Sequence, residues 1–239
     1  MKQRELISLE GLRLDGRRPL ELRHVAFSMS VSSKVNGSAT CEMGCTKVIA
    51  LVDGPKQLQQ KDESSGKINC SIFMTNFATA QHKDNPKRQI KLRDTAQVIK
   101  DVFENIVSLE LYNKSQIDVH IIVLQNDGAY KAAAINATTL ALVDAGISMK
   151  DLLLSSTAGF VQSKCCLDLL YAEEKQDKTS VIVAYVPTKR KLAHVSATSP
   201  KMSTISVSES ISTAIKGCEE LYGKMKAHIK EYMSLKYHT

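Results

Sequence analysis

Residues 125–147 read QNDGAYKAAAINATTLALVDAGI, an acid and a glycine followed by a tyrosine, a lysine and an alanine-rich run closed by Gly146. A turn that empties into a helix aims unpaired backbone N–H groups at whatever precedes it, and the helix dipole adds positive potential there. Gly128, Ala129, Tyr130 and Lys131 are therefore a candidate anion site, with Lys131 supplying a full charge. Asp127 and Gly128 equally fit an ordinary turn after a buried strand, with Lys131 merely solvated, since strand-turn-helix junctions are common and few bind phosphate.

A second feature is HKDNPKRQIKLR, residues 82–93, which holds five Lys or Arg against one Asp. Such a local surplus suits a polyanion. The run is read as a loop leading into a helix, where cations are electrostatically misplaced unless an anion compensates. A solvated loop is the plain alternative. A third is the acidic pair Glu173 and Glu174, shortly after Asp168. These pieces make either an enzyme or a binding surface.

The elements that must carry them follow from hydrophobic period. Strands are expected at 25–31, 47–52, 68–74, 117–124, 155–161, 166–171 and 180–186, with a shorter one at 192–196. An amphipathic helix over 94–111 places Val98, Ile99, Val102, Phe103, Ile106 and Val107 on one face. A last helix carries Val207, Ile211, Ile215, Cys218, Tyr222, Met225, Ile229 and Met233 at steps of three and four, with Ser206 and Glu209 spaced as a capping box. The longest loop is expected at 54–67. The order describes an α+β chain with sheets backed by helices, read as one domain over 1–239 because no low-complexity linker divides it.

The chain has 239 residues, 43% hydrophobic, enough to bury a full core, with a net charge of +7. No apolar run is long enough to span a membrane, and the polar start MKQRELISLEGLRLDGRR lacks the apolar region of a secretory signal, which predicts a cytosolic or nuclear protein. Six cysteines, without CxxC pairs or a histidine cluster, are expected as reduced core thiols and not as a zinc site.

RLDGRRPLELR (13–23), NGSATCEMGCTKVIALVDGP (36–55), SQIDVHIIVLQNDGAYKAAAINATTLALVDAGISMKDL (115–152) and LDLLYAEE (167–174) occur in the order seen in the ribonuclease PH family. The resemblance covers nearly the whole chain, and within the family it points to a ring subunit of the eukaryotic RNA exosome, the counterpart of the catalytic subunit of the archaeal exosome. It implies a ribosomal-protein-like α+β fold, a hexameric ring of ribonuclease PH-like subunits around a channel for single-stranded RNA, RNA-binding cap subunits, a separate hydrolytic nuclease, and residence in nucleus, nucleolus and cytoplasm.

In active members the resemblance implies phosphorolysis from the RNA 3′ end, which needs a gripped phosphate, a metal held by carboxylates and arginines on the RNA backbone. Their phosphate turn has the form Asp-Gly-Gly-Thr/Ser-Arg. Here it reads Asp127, Gly128, Ala129, Tyr130, Lys131: a methyl is added, the hydroxyl sits on a bulky ring, and a forked guanidinium becomes a point charge. Their metal lies between two aspartates six positions apart, which here are Asp168 and Glu174, the second one methylene longer. Asp168 and Glu174 are read as either a vestigial metal site or solvated strand-end charges, and Glu173 as surface. Lys87, Arg88, Lys91 and Arg93 stand where the family places RNA-contacting basic residues, and Lys61 and Lys67 are read as either solvated loop residues or lining of the channel mouth, the former favoured. The implied function is a non-catalytic ring subunit that requires no cofactor. The alternative is an active phosphorolytic 3′-to-5′ exoribonuclease, which would use magnesium and inorganic phosphate.

Overall fold

Alternating apolar residues build the first half of the chain: β1 (Val25–Met29), β2 (Gly37–Met43), β3 (Thr46–Gln57), β4 (Lys67–Met74), then helix α1 (Pro86–Ile106) and β5 (Ser115–Gln125). After α2 (Tyr130–Asp144) come β6 (Leu154–Val161), β7 (Lys164–Leu167), α3 (Tyr171–Asp177), β8 (Ser180–Val186), β9 (Lys191–Thr198) and α4 (Thr204–Tyr237). The computed structural model describes residues 6–8, 10–57, 66–79, 86–162, 164–177, 179–198 and 203–237.

The first sheet has the order β1-β2-β3-β5-β4, antiparallel except for the parallel β4–β5 pair that α1 connects. In register, Cys41 faces Val48 and Ala39 faces Ala50, so one face of β2 and β3 is wholly buried, continued on β5 by Ile117, Val119, Ile121 and Val123. The second sheet, β7-β6-β8-β9, is antiparallel throughout.

Helix α2 lies between the sheets, packed on β2 and β3 on one side and on β6 on the other. Every residue from Ala132 to Leu142 is buried, which is why the helix is built from alanine and threonine and shows no polar face. Its buried polar groups are satisfied: Asn136 Nδ2 donates to Ser155 O at 2.9 Å, Ser155 N–H returns to Asn136 Oδ1 at 2.8 Å, and Thr139 Oγ1 donates to Leu153 O at 2.8 Å. These bonds fix the middle of α2 against Leu153 and Ser155 at the start of β6.

Several boundaries differ from the sequence expectation. Strand β2, rich in small residues, was hidden from the periodicity; it forms a two-residue hairpin with β3 through Gly44 and Cys45, Gly44 at φ 57°. A β-carbon on Gly44 would lie 2.7 Å from Arg23 Cδ, so the turn also makes room for that side chain. Cys45 is exposed on this turn, not a core thiol like the buried Cys41, Cys166 and Cys218. The expected loop 54–67 is largely replaced at its ends, because β3 runs to Gln57 and Lys67 opens β4; Lys61 lies outside the described residues.

Helix α1 begins at Pro86, with proline where its missing N–H costs no bond. It ends at Ile106, and Leu109–Leu111 form a separate 3-10 turn. The strand expected at 166–171 is β7 followed by α3, which puts Glu173 and Glu174 on a helix. At the last helix, Ser206 is not the cap. It donates its N–H to Ser203 Oγ at 3.2 Å, one turn earlier than the expected box. No described helix is long and apolar enough to cross a membrane.

Candidate functional site

The turn between β5 and α2 is held by backbone-directed bonds from distant residues. Asp127 N–H donates to Thr46 Oγ1 at 3.0 Å, Thr46 Oγ1 donates to Gly128 O at 2.8 Å, and Gly128 N–H donates to Asn126 Oδ1 at 3.1 Å. Gly128 adopts φ 90°, and a β-carbon there would stand 2.5 Å from Leu169 O and 2.7 Å from Tyr171 N. Only glycine fits. Ala129 follows at φ 56°, a left-handed conformation that costs an alanine about 1 kcal/mol.

The third N–H of the turn meets a carboxylate. Ala129 N–H donates to Glu174 Oε1 at 3.1 Å. Burial pushes the Glu174 carboxyl above the ordinary glutamate range, opposed by the Ala129 N–H, Arg23 and Lys131, while Asp168 adds to the rise. Burial likewise lowers Lys131, against Glu174 and with Lys91 adding to the fall. Burial also raises Tyr130, whose hydroxyl bonds Thr95.

Asp168 is neither a solvated charge nor an open ligand. Its side chain is 0% exposed, and Arg23 grips it with Nε to Oδ2 at 2.8 Å and Nη2 to Oδ1 at 2.7 Å, while the Arg23 backbone N–H adds 3.1 Å to Oδ2. Arg17 Nη1 stands 3.7 Å from the same Oδ2. Arg23 also reaches the anion turn, donating Nη1 to Asp127 O at 2.9 Å. Glu173, expected on the surface, is buried against Arg13, with Nε to Oε1 at 2.9 Å, and accepts the Leu170 N–H at 2.8 Å. A short polar helix start looks solvated in sequence. Here an arginine some 160 positions away makes it part of the interior.

The metal that active family members hold at these two positions does not fit Asp168 and Glu174 as they are placed here. One carboxylate is committed to Arg23 at both oxygens and the other is turned onto Ala129 N–H. Among the described residues no group of three or more His, Cys, Asp or Glu is placed to hold a metal ion.

In front of the turn lies a cavity of about 480 Å³ lined by Ala129, Lys131 and Glu174, with Lys91, Tyr130, Ser180, Ile182 and Thr198. It adjoins one of about 350 Å³ that shares Lys91, Tyr130, Lys131, Ile182 and Thr198 and adds Asp94, Thr95 and His194. From Pro86 on, the basic run is not a loop ahead of the helix, as expected, but the first two turns of α1; residues 82–85 lie outside the described residues. Lys91 is exposed on the cavity wall and Arg88, half-buried, influences Tyr130 from the same helix face. Arg93, exposed, is two residues from Lys91 and so falls on the opposite side of α1. The backbone of Lys87 lies in the first turn. The structure thus brings Lys91, Lys131, Ala129, Tyr130 and Glu174 together, leaves Arg93 apart and separates Asp168 behind Arg23.

Arg13, Arg23, Thr46 and His194 were not singled out as site residues, and Glu173, noted in an acidic pair, was read as surface. For the two arginines the signal was the density of arginine in RLDGRRPLELR; Thr46 and His194 had none.

The two-sheet α+β fold with its turn ahead of a buried helix defines a class. Residues 21–148 match the ribonuclease PH signature, described as the 3′ exoribonuclease family, domain 1, and the chain belongs to that family. It is similar to exosome complex component ski6 of Schizosaccharomyces pombe, 37% identical over 234 residues covering 97% of this chain and 96% of the relative. It is also similar to the exosome complex component RRP41 homolog of Arabidopsis thaliana, 40% identical over 193 residues covering 79% and 80%. Among solved structures, rice Rrp46 superposes with a TM-score of 0.79 at 25% identity, over 91% of this chain and 100% of that one. The Archaeoglobus fulgidus exosome with RNA bound to the active site shares the fold, with a TM-score of 0.78 at 20% identity over 90% and 93%.

Proposed function

We propose that this chain is a non-catalytic core ring subunit of an RNA exosome. It helps form the central channel and guides single-stranded RNA toward 3′-to-5′ processing and degradation by a separate hydrolytic nuclease. Its relatives of the ski6 and RRP41 type, matched over 79% to 97% of this chain, support the assembly. The observation that carries the non-catalytic reading is the engagement of both Asp168 oxygens by Arg23 in a buried pair, which commits the first of the two metal-position carboxylates to an arginine. Lys131 in place of the family arginine adds a point charge where bidentate recognition is needed.

On this proposal the protein works with other ribonuclease PH-like subunits and RNA-binding cap subunits, in nucleus, nucleolus and cytoplasm. Arg88 and Lys91, beside the cavity, supply backbone grip without chemistry. The rival, an active phosphorolytic exoribonuclease, rests on the retained Asp-Gly turn and on Asp168. One assay separates the two. The chain co-purified with a ring partner, given single-stranded RNA, magnesium and phosphate, releases no nucleoside diphosphate. Phosphate-dependent shortening of the RNA that disappears in Lys131→Ala would overturn the proposal.

A further inference from the structure

The first sheet is covered on one side only. Helix α2 packs on β2 and β3 and helix α1 on β4, while the residues between the buried ones turn the other way. On that outer side Ile49, Leu51, Ile122 and Leu124 are half-buried yet belong to neither hydrophobic core. Ile49 stands opposite Ile122, and Ile122 opposite Phe73 on the edge strand β4, so an apolar row crosses three strands. Phe73 is 62% exposed, and Ser71 and His120 in the next row are exposed too, so no described element covers them.

Leu124 carries the row to a hollow of about 510 Å³ that Lys47, Phe77 and Tyr171 also line, with Phe77 76% exposed. The groups around the apolar strip are polar and already paired. Lys47 bridges Glu42 at 3.1 Å, Lys56 bridges Asp53 at 2.6 Å, and Ser71 Oγ bonds His120 Nδ1 at 2.7 Å. An apolar centre inside a satisfied polar rim is the build of a protein contact surface.

Residues 1–239 hold nothing else that could cover this face. The longest stretch outside the described residues is 58–65, LQQKDESS, with one apolar side chain. Rice Rrp46 superposes over 100% of its chain, so a chain of this fold can consist of these elements and no others. Such a chain turns out an open sheet of its own. Two open sheets laid face to face cover each other at the roughly 10 Å spacing of stacked sheets.

We propose that the outer face of the first sheet is the docking surface for one neighbouring ribonuclease PH-like subunit, which lays its own sheet across Ile49, Ile122 and Phe73 and sets an apolar side chain in the hollow beside Phe77. This rests on the ring reading above and assigns one of its contacts to a face.

The test uses the full chain co-expressed with a ribonuclease PH-like ring partner. Phe73→Asp and Phe77→Asp each weaken the pairing at least about tenfold by titration of the purified partner, whereas Ile205→Asp, at a side chain 77% exposed on α4, leaves it unchanged. In parallel, p-benzoylphenylalanine in place of Phe73 is irradiated in the assembled complex and the crosslinked peptide is identified by mass spectrometry. A crosslink to a sheet strand of the ribonuclease PH-like partner is expected, and it decides the matter if the charged variants do not fold. A crosslink to a cap subunit, to the nuclease or to a second copy of this chain overturns the proposal, as does full pairing by both folded Asp variants; either result leaves the ring reading standing. A wild-type chain that pairs with no ribonuclease PH-like partner overturns the ring reading itself, and the proposal with it.

Discussion

Asp168 and Arg23 are joined at three points, Nε to Oδ2 at 2.8 Å, Nη2 to Oδ1 at 2.7 Å and backbone N–H to Oδ2 at 3.1 Å, across 145 positions of sequence. Because Arg23 also bonds the carbonyl of Asp127, the pair ties the segment after β7 to the turn ahead of α2. A carboxylate so held is a structural hinge-pin between the two sheets.

Removing one partner strands a buried charge. Asp168→Ala or Arg23→Ala should each cost about 3–5 kcal/mol in urea denaturation. Replacing both by apolar residues should cost markedly less than the sum, since contacting residues couple. A loss below about 1 kcal/mol in Asp168→Ala would show that the carboxylate does not hold the fold.

The two small residues of the turn should behave oppositely. Gly128→Ala drives a methyl into Leu169 O at φ 90° and should cost about 3 kcal/mol or more. Ala129→Gly relieves a left-handed alanine at φ 56° and should change stability by no more than about 1 kcal/mol, in the favourable direction. Thermal melts of the two variants check this, and equal losses would contradict the turn geometry.

Glu174 should leave a signature in the pH dependence of stability. Its folded pKa is raised above the ordinary 4.5, first by burial, so its contribution is present below 4.5 and is lost as pH rises through the folded value. Wild type should therefore lose more stability than Glu174→Gln between mildly acidic and neutral pH. Parallel melting-temperature profiles for the two proteins would refute the buried, charged carboxylate.

The basic face of α1 should divide into two. Lys91→Ala should flatten the plot of log RNA affinity against log salt by about 0.7 for the assembled ring, for all sequences alike. Arg93→Ala, on the far side of α1, should combine additively with Lys131→Ala, whereas Lys91→Ala shares a cavity with Lys131 and should couple to it. Affinity lost without a change in slope would indicate a damaged fold or ring.

What the sequence determined by itself was whatever a short window can hold. The alternation of β3 and β5, the small-residue helix 130–144 ahead of Gly146, the turn at Asp127–Gly128 and the family resemblance were all legible, because side-chain period and turn chemistry act between near neighbours. Strand β2 escaped because Gly37, Ser38, Ala39 and Thr40 carry too little apolar bulk to show a period, although the first three are buried and Thr40 half-buried once β1 and β3 flank them. Lys87, Arg88, Lys91 and Arg93 were seen as parts of a basic run, but not as belonging to the first turns of α1.

Only the tertiary structure decided what the acids do. Asp168, Glu173 and Glu174 lie within seven positions of one another, yet the first is clasped by Arg23, the second is buried on Arg13 and the third caps Ala129. A carboxylate's role is set by which charge and which N–H reach it and by how much water is excluded. Those come from residues 45 to 160 positions away, brought close by the packing of two sheets on α2.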